Sequence, residues 1–166
     1  LTSITCSTVN SYNGLVPRVG GFEGGTVTWA PTNITYGHNN RSAQFRLPQN
    51  RYCIENRAAD MTMNVYLAFS MTLSAAVEGI KNKIHPGKPT DQDLYNMTDS
   101  EFKKLGIKRL PRNLLMAIEA LKKDNLSEEV IGTVMKKSLL AYKNDEWERY
   151  HQAVTDWEVK EYLRLY

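Results

Sequence analysis

The apolar positions of this chain change their period near residue 63. Before that point β-branched and aromatic residues alternate with polar ones and glycines interrupt them, which is the pattern of strands and loops. Residues 26–36, 43–47 and 52–57 read as strands, and Pro31 marks an edge or a bulge in the first. A turn is expected at 37–40. After Met63, the residues Tyr66, Phe69, Leu73, Ala76, Val77, Ile80 and Ile84 recur at helical spacing. That stripe predicts a long helix at the buried centre of the fold, stopping before His85-Pro86-Gly87. Thr98-Asp99-Ser100-Glu101 has the form of a capping box opening a short helix, and 111–123 reads as another. The tail, 127–166, has one glycine and no proline and predicts two or three helices, the last opening at Thr155-Asp156-Trp157-Glu158. Antiparallel strands over 1–62 followed by helices over 63–166 argue an α+β fold.

Composition narrows the classes. With 42% apolar and 23% charged residues and a formal charge of +3, the 166 residues suit one folded domain rather than a disordered chain. No apolar run reaches the roughly 18 residues of a membrane span, and Leu1 opens no basic-then-apolar leader, so the expected compartment is the cytoplasm. Cys6 and Cys53 have no CxxC or histidine companions, and His38, His85 and His151 share no ligand spacing, which argues against a zinc site or a disulfide framework. Phosphate-loop, dinucleotide-fold and hydrolase-elbow motifs are all missing.

The charge is unevenly laid out. Up to residue 80 there are five arginines and no lysine, whereas the remainder carries twelve lysines and four arginines. Arginine is the planar fork that grips phosphate or carboxylate bidentately. Arg41, Arg46, Arg51 and Arg57 fall within 17 residues of strand-rich sequence, and only Glu23, Glu55 and Asp60 stand near enough in sequence to pair with them. Two readings stay open: surface salt bridges, or a site for a bound phosphate. On a strand Glu55 and Arg57 share a face, so Glu55 is either an ion-pair partner or a ligand for a hard divalent cation. Arginines interleaved with Phe45 and Tyr52 also allow nucleic-acid binding, but the small net charge and the mixing of lysines with acids argue against it. Glu23 sits at the tip of the glycine-rich segment GGFEGG, where a mobile loop would deliver it.

Six strings occur in one order: TVNSY at 8–12, NNRSAQFRLP at 39–48, ENRAAD at 55–60, NVYLAF at 64–69, GIKNKIHPGKP at 79–89 and DLYNM at 93–97. Together they resemble the C-terminal half of the catalytic domain of the glutamine synthetases, over essentially the whole chain. TWAP at 28–31 and the ending EWERYHQAVTDWEVKEYLRLY look more like the branch that holds γ-glutamylmethylamide synthetase and type III-like enzymes.

The resemblance implies an ATP-dependent carboxylate–amine ligase that forms a γ-glutamyl amide from glutamate and ammonia, or a small amine such as methylamine, through a γ-glutamyl phosphate. It implies Mg²⁺ or Mn²⁺, a ring-type homo-oligomer, and neither nucleic acid nor membrane as partner. By residue, it implies that Arg41 contacts the nucleotide phosphates and that Arg46 faces the transferred phosphoryl group, with Arg51 beside them. It gives Glu55 as a metal ligand, Arg57 as the holder of glutamate or its phosphorylated form, Glu23 as the flap carboxylate, and Tyr95 at a position that is adenylylated in some bacterial members. The sequence departs from the family pattern at two places. Asn13-Gly14 replaces Lys-Arg, removing an arginine for the α-carboxylate that Arg18 could replace only by another path, and Val65 replaces proline. The family's N-terminal β-grasp domain, its other metal-binding carboxylates and its ATP-contacting histidine motif are not in this sequence. The 166 residues alone are therefore expected to be inactive, and a catalytically dead binding module is the competing reading.

Overall fold

A computed structural model of the chain describes residues 1–16, 29–163 and 165. Arg18, Glu23 and the 26–28 stretch of the first expected strand lie outside the described residues. The α+β class holds, with a small mixed sheet whose first three strands precede residue 57 and whose fourth lies among the later helices.

The chain opens with helical turns where strands and loops were expected. Helix α1 spans Thr2–Thr5, and a 3₁₀ helix spans Val9–Leu15, opened by reciprocal hydrogen bonds between Thr8 and Ser11. Tertiary contact overrides the β-branched propensity here. The Ser3 hydroxyl donates to the Ala117 carbonyl (2.7 Å), and the Tyr12 hydroxyl donates to the Cys6 carbonyl (3.0 Å).

Strands β1 (Asn33–His38), β2 (Ala43–Leu47), β3 (Glu55–Asn56) and β4 (Lys108–Arg109) form one sheet in the order β3-β2-β1-β4. The pair β2/β3 is antiparallel as expected, but the central pair β1/β2 is parallel, with a bulge between Asn33 and Tyr36, and β4, from the stretch read as helical, adds an antiparallel pair with β1. Gly37 ends up inside β1, not in the turn. A methyl group there would lie 2.3 Å from the Thr90 carbonyl, so the close approach of 90–92 requires glycine. Asn40 fixes the reversal into β2. Its side-chain amide donates to the carbonyls of Thr90 (2.6 Å) and Gln92 (3.0 Å), while its Oδ1 accepts from the Ser42 backbone N–H (2.9 Å).

Helix α2 (Val65–Lys81) starts at Asn64, whose side chain accepts from the N–H groups of Tyr66 and Leu67. Val65 thus occupies the first helical position, where proline is tolerated but not needed. Its burial corrects the sequence reading. Ala68 and Met71 face inward, whereas the predicted core stripe of Tyr66, Phe69, Leu73, Val77 and Ile80 is exposed. The helix docks its narrow small-residue face on α1 and on the long C-terminal helix, and the described residues supply nothing to cover the other face.

The capping boxes at Thr98 and Thr155 open α3 (Asp99–Leu105) and α6 (Asp156–Tyr162), as read from sequence. Helix α4 (Leu114–Lys122) buries Leu114, Ala117, Ile118 and Leu121 along one face. Helix α5 (Asn125–Gln152) breaks at Gly132, whose φ of 78° is left-handed, so the tail makes three helical segments. Two apolar clusters form the core. One gathers Cys6, Tyr12, Leu15, Ala58, Leu110 and α4, the other Ile4, Met71 and Leu121, and Leu140 of α5 packs against both.

Cys6 is buried with its thiol donating to the Ala58 carbonyl (2.9 Å), and burial pushes its pKa up to about 12. Cys53 is exposed. A thiol-exchange reagent is therefore expected to label Cys53 in the native protein and Cys6 only after denaturation, a difference that thiol titration reads directly.

Candidate active site

The sheet explains why the arginines converge. In the β2/β3 register Arg46 lies opposite Glu55, so the two side chains share a face. Arg46 Nη1 donates to Glu55 Oε2 at 2.9 Å, and its Nε donates to Asn39 Oδ1 at 3.1 Å. Arg51, from the connection between these strands, donates to the other carboxylate oxygen, so Glu55 is clamped between two guanidinium groups. The hydrogen bond from Arg46, assisted by the charges of Arg46 and Arg51, holds the Glu55 carboxyl below its usual value. Of the two sequence readings of Glu55, the structure shows the ion pair.

Arg57 continues the ladder beyond β3, its N–H donating to the Gln44 carbonyl at 2.8 Å. Its guanidinium turns to backbone acceptors instead of a carboxylate. It donates to the Arg41 carbonyl and, through Nη2, to the Trp29 carbonyl at 2.8 Å. Burial lowers its pKa from the ordinary arginine value, yet arginine stays charged. Arg41 leaves the Asn40-fixed reversal and lays its guanidinium 4.1 Å from the Trp29 ring centroid. Among the described residues neither Arg41 nor Arg57 has a carboxylate partner, so their charge is available to an anion. Tyr95 lies behind them, its hydroxyl donating to the Ala30 carbonyl at 2.7 Å.

Arg57 also lines a cleft of about 390 Å³ between the 3₁₀ helix and the 57–61 segment, together with Asn10, Ser11, Asn13, Gly14 and Asp60. A hydrogen bond from Ser11, with others from the Thr62 and Met61 region, keeps Asp60 ionised below its usual range. Among the described residues a Cβ on Gly14 would meet nothing within 4 Å, and Gly14 lines the cleft together with Arg57. A larger hollow, about 750 Å³ between 85–92 and 104–107, holds none of the predicted site residues.

The structure thus brings Arg41, Arg46, Arg51, Glu55 and Arg57 to one edge of the sheet, with Tyr95 behind, while Arg18 and Glu23 fall outside the described residues. Trp29 and Asn39 were missed as site residues. Their roles come from folding the chain back on itself, and the only sequence signal was their position beside the arginine series. A divalent cation needs about six oxygen ligands. The described residues offer Glu55 without two further His, Cys, Asp or Glu groups around it, so they do not by themselves make a metal site.

The family model for the glutamine synthetase catalytic domain matches residues 1–162. The chain belongs to the glutamine synthetase family. It is 40% identical over 166 residues to a glutamine synthetase of Methanocaldococcus jannaschii, covering 98% of this chain and 35% of that one. It is also 40% identical to a glutamate–methylamine ligase of Methyloversatilis universalis, covering 100% and 36%. The solved structure of GmaS in complex with ADP superposes with a TM-score of 0.79 at 32% identity, over 98% of this chain and 36% of that one. The chain therefore spans about a third of the length of these relatives. Among the described residues no helix is long and apolar enough to cross a membrane.

Proposed function

We propose that the protein containing this sequence is an ATP-dependent ligase joining the γ-carboxylate of glutamate to ammonia or a small primary amine. The observation that carries this is the convergence of Arg41, Arg46, Arg51, Arg57 and Glu55 on one sheet edge beside an amino-acid-sized cleft. The first step joins a γ-carboxylate oxygen to the terminal phosphorus of ATP and releases ADP. In the second the amine nitrogen forms a bond to the acyl carbon, the bond from that carbon to the phosphate oxygen breaks, and the departing phosphate takes the proton that the nitrogen loses. Fixed guanidinium groups suit both steps, because negative charge spreads over the transferring oxygens and needs preplaced positive partners.

In this reading Arg41 and Arg46 face the phosphates, and Arg57 holds the acid at the cleft. Asp60, on the same wall of the cleft, suits its ammonium group. Glu55 gives one carboxylate to a divalent cation, which supplies charge neutralisation to the phosphates when bound. The remaining cation ligands come from parts of the family fold outside these residues, and the exposed stripe of α2 is where such parts pack. A ring-type homo-oligomer follows from the same reading.

The relative acting on methylamine supports the amine variant as a second reading. The test is ATP- and Mg²⁺-dependent γ-glutamyl product formation by the full-length enzyme, comparing ammonia with methylamine. Glu55→Ala is expected to raise the Mg²⁺ concentration needed for half-maximal rate at least tenfold, since it removes a carboxylate ligand. Unchanged metal dependence would remove Glu55 from the site.

A further inference from the structure

Trp29 is large, apolar and 61% exposed, and it stands at the arginine cluster. One face of its ring carries the Arg41 guanidinium at 4.1 Å. Its own carbonyl accepts from Arg57 Nη2 at 2.8 Å, and the next carbonyl, that of Ala30, accepts from the Tyr95 hydroxyl at 2.7 Å. Two hydrogen bonds therefore hold the backbone of this segment and one stacked cation covers a face of the indole, which still presents much of its surface to solvent. The arrangement is that of a preorganised wall, since the ordering cost is met before any ligand arrives.

The wall stands at a particular place. Arg57 both bonds the Trp29 backbone carbonyl and lines the cleft beside Gly14 and Asp60, so one residue links the segment carrying the indole to the place where the acid would be held. Its surroundings are cationic: Arg41 lies on the ring, Arg57 beneath it, and the Arg46 and Arg51 pair about Glu55 on the same sheet edge. Such a setting repels an ammonium ion and favours the neutral form of a nucleophile. A neutral amine with an alkyl group gains contact with the indole, whereas ammonia has no apolar surface to place there.

We propose that Trp29 is a specificity-determining residue for the amine, its free ring surface packing the alkyl group of a small primary amine and favouring it over ammonia. This rests on the ligase reading above. The nitrogen attacks the acyl carbon as described there, and Trp29 gives up and receives no proton.

The experiment measures kcat/KM for methylamine and for ammonia in the full-length enzyme and in Trp29→Phe and Trp29→Ala. The ratio of the two is the readout, because losing the Arg41 stack lowers both rates together. The ratio is expected to fall about tenfold in Trp29→Ala, the scale of discrimination one methyl group provides in an apolar pocket, and by less in Trp29→Phe, which keeps an aromatic face. An active wild type whose ratio stays the same in Trp29→Ala overturns the role of Trp29 and leaves the ligase reading standing. A wild type that forms no γ-glutamyl amide from either amine overturns the ligase reading and this assignment with it.

Discussion

Replacing Arg57 by alanine in the full-length enzyme is expected to lower kcat/KM for γ-glutamyl amide formation by roughly 10²–10³-fold, the usual loss when one preplaced electrostatic partner of the reacting group is removed. The geometry makes the loss larger than that of a single charge. Arg57 ties the carbonyls of Arg41 and Trp29 together, so its removal also frees the segment carrying the indole and the loop carrying Arg41. It lines the cleft as well, so the acid loses its partner. Arg57→Lys separates these effects, because lysine keeps the charge but cannot bridge two carbonyls with a planar fork. Steady-state kinetics should show Arg57→Lys impaired nearly as much as Arg57→Ala. Recovery to within a few-fold of wild type would mean that charge alone matters.

Tyr12→Ala should cost the fold about 3–5 kcal/mol, the range for deleting a buried aromatic ring. The ring is 1% exposed in the larger core cluster beside Cys6, Ala58 and α4, and the hydroxyl satisfies the Cys6 carbonyl. Against a total stability of order 5–15 kcal/mol, this removes a large share, and urea denaturation should show the midpoint falling accordingly. Tyr12→Phe isolates the hydroxyl and should cost about 1–2 kcal/mol. Near-equal midpoints for Tyr12→Ala and wild type would show that the 3₁₀ helix is not part of the cooperative core. In the structure Tyr12 anchors the 3₁₀ helix in the core, and Asn10, Ser11 and Gly14 around it line the cleft.

Local signals were legible wherever one residue type does one local job. The capping boxes at Thr98 and Thr155 place α3 and α6, because hydroxyl and carboxylate at a spacing of three satisfy the free N–H groups of a helix start whatever packs around them. Strand β2 keeps its predicted bounds, 43–47. Glycine punctuation was less reliable. Gly37 sits within β1 because residues 90–92 press on it, a constraint that lies 50 positions away in sequence.

The α2 stripe shows the opposite failure. Period and composition correctly give a helix with an apolar face, but the sequence states only that the face avoids water, not which neighbour covers it. Ala68 and Met71 are enough to seat the helix on α1 and α5, and the larger residues remain outside.

The sequence by itself determined the α+β class, the starts of α3 and α6, the family and a cluster of arginines with few acids near it. These follow from spacing, turn chemistry and charge, which are properties of neighbours in the chain. Only the tertiary structure decided that Arg46 and Arg51 share Glu55, that Arg57 braces the carbonyls of Trp29 and Arg41, and that Trp29 stands exposed among them. Each of those facts depends on strand register and on the Asn40-fixed reversal between β1 and β2, which bring residues far apart in sequence within hydrogen-bond reach. Register is set by the summed packing of the sheet and the helices behind it, and no stretch of sequence read alone contains that sum.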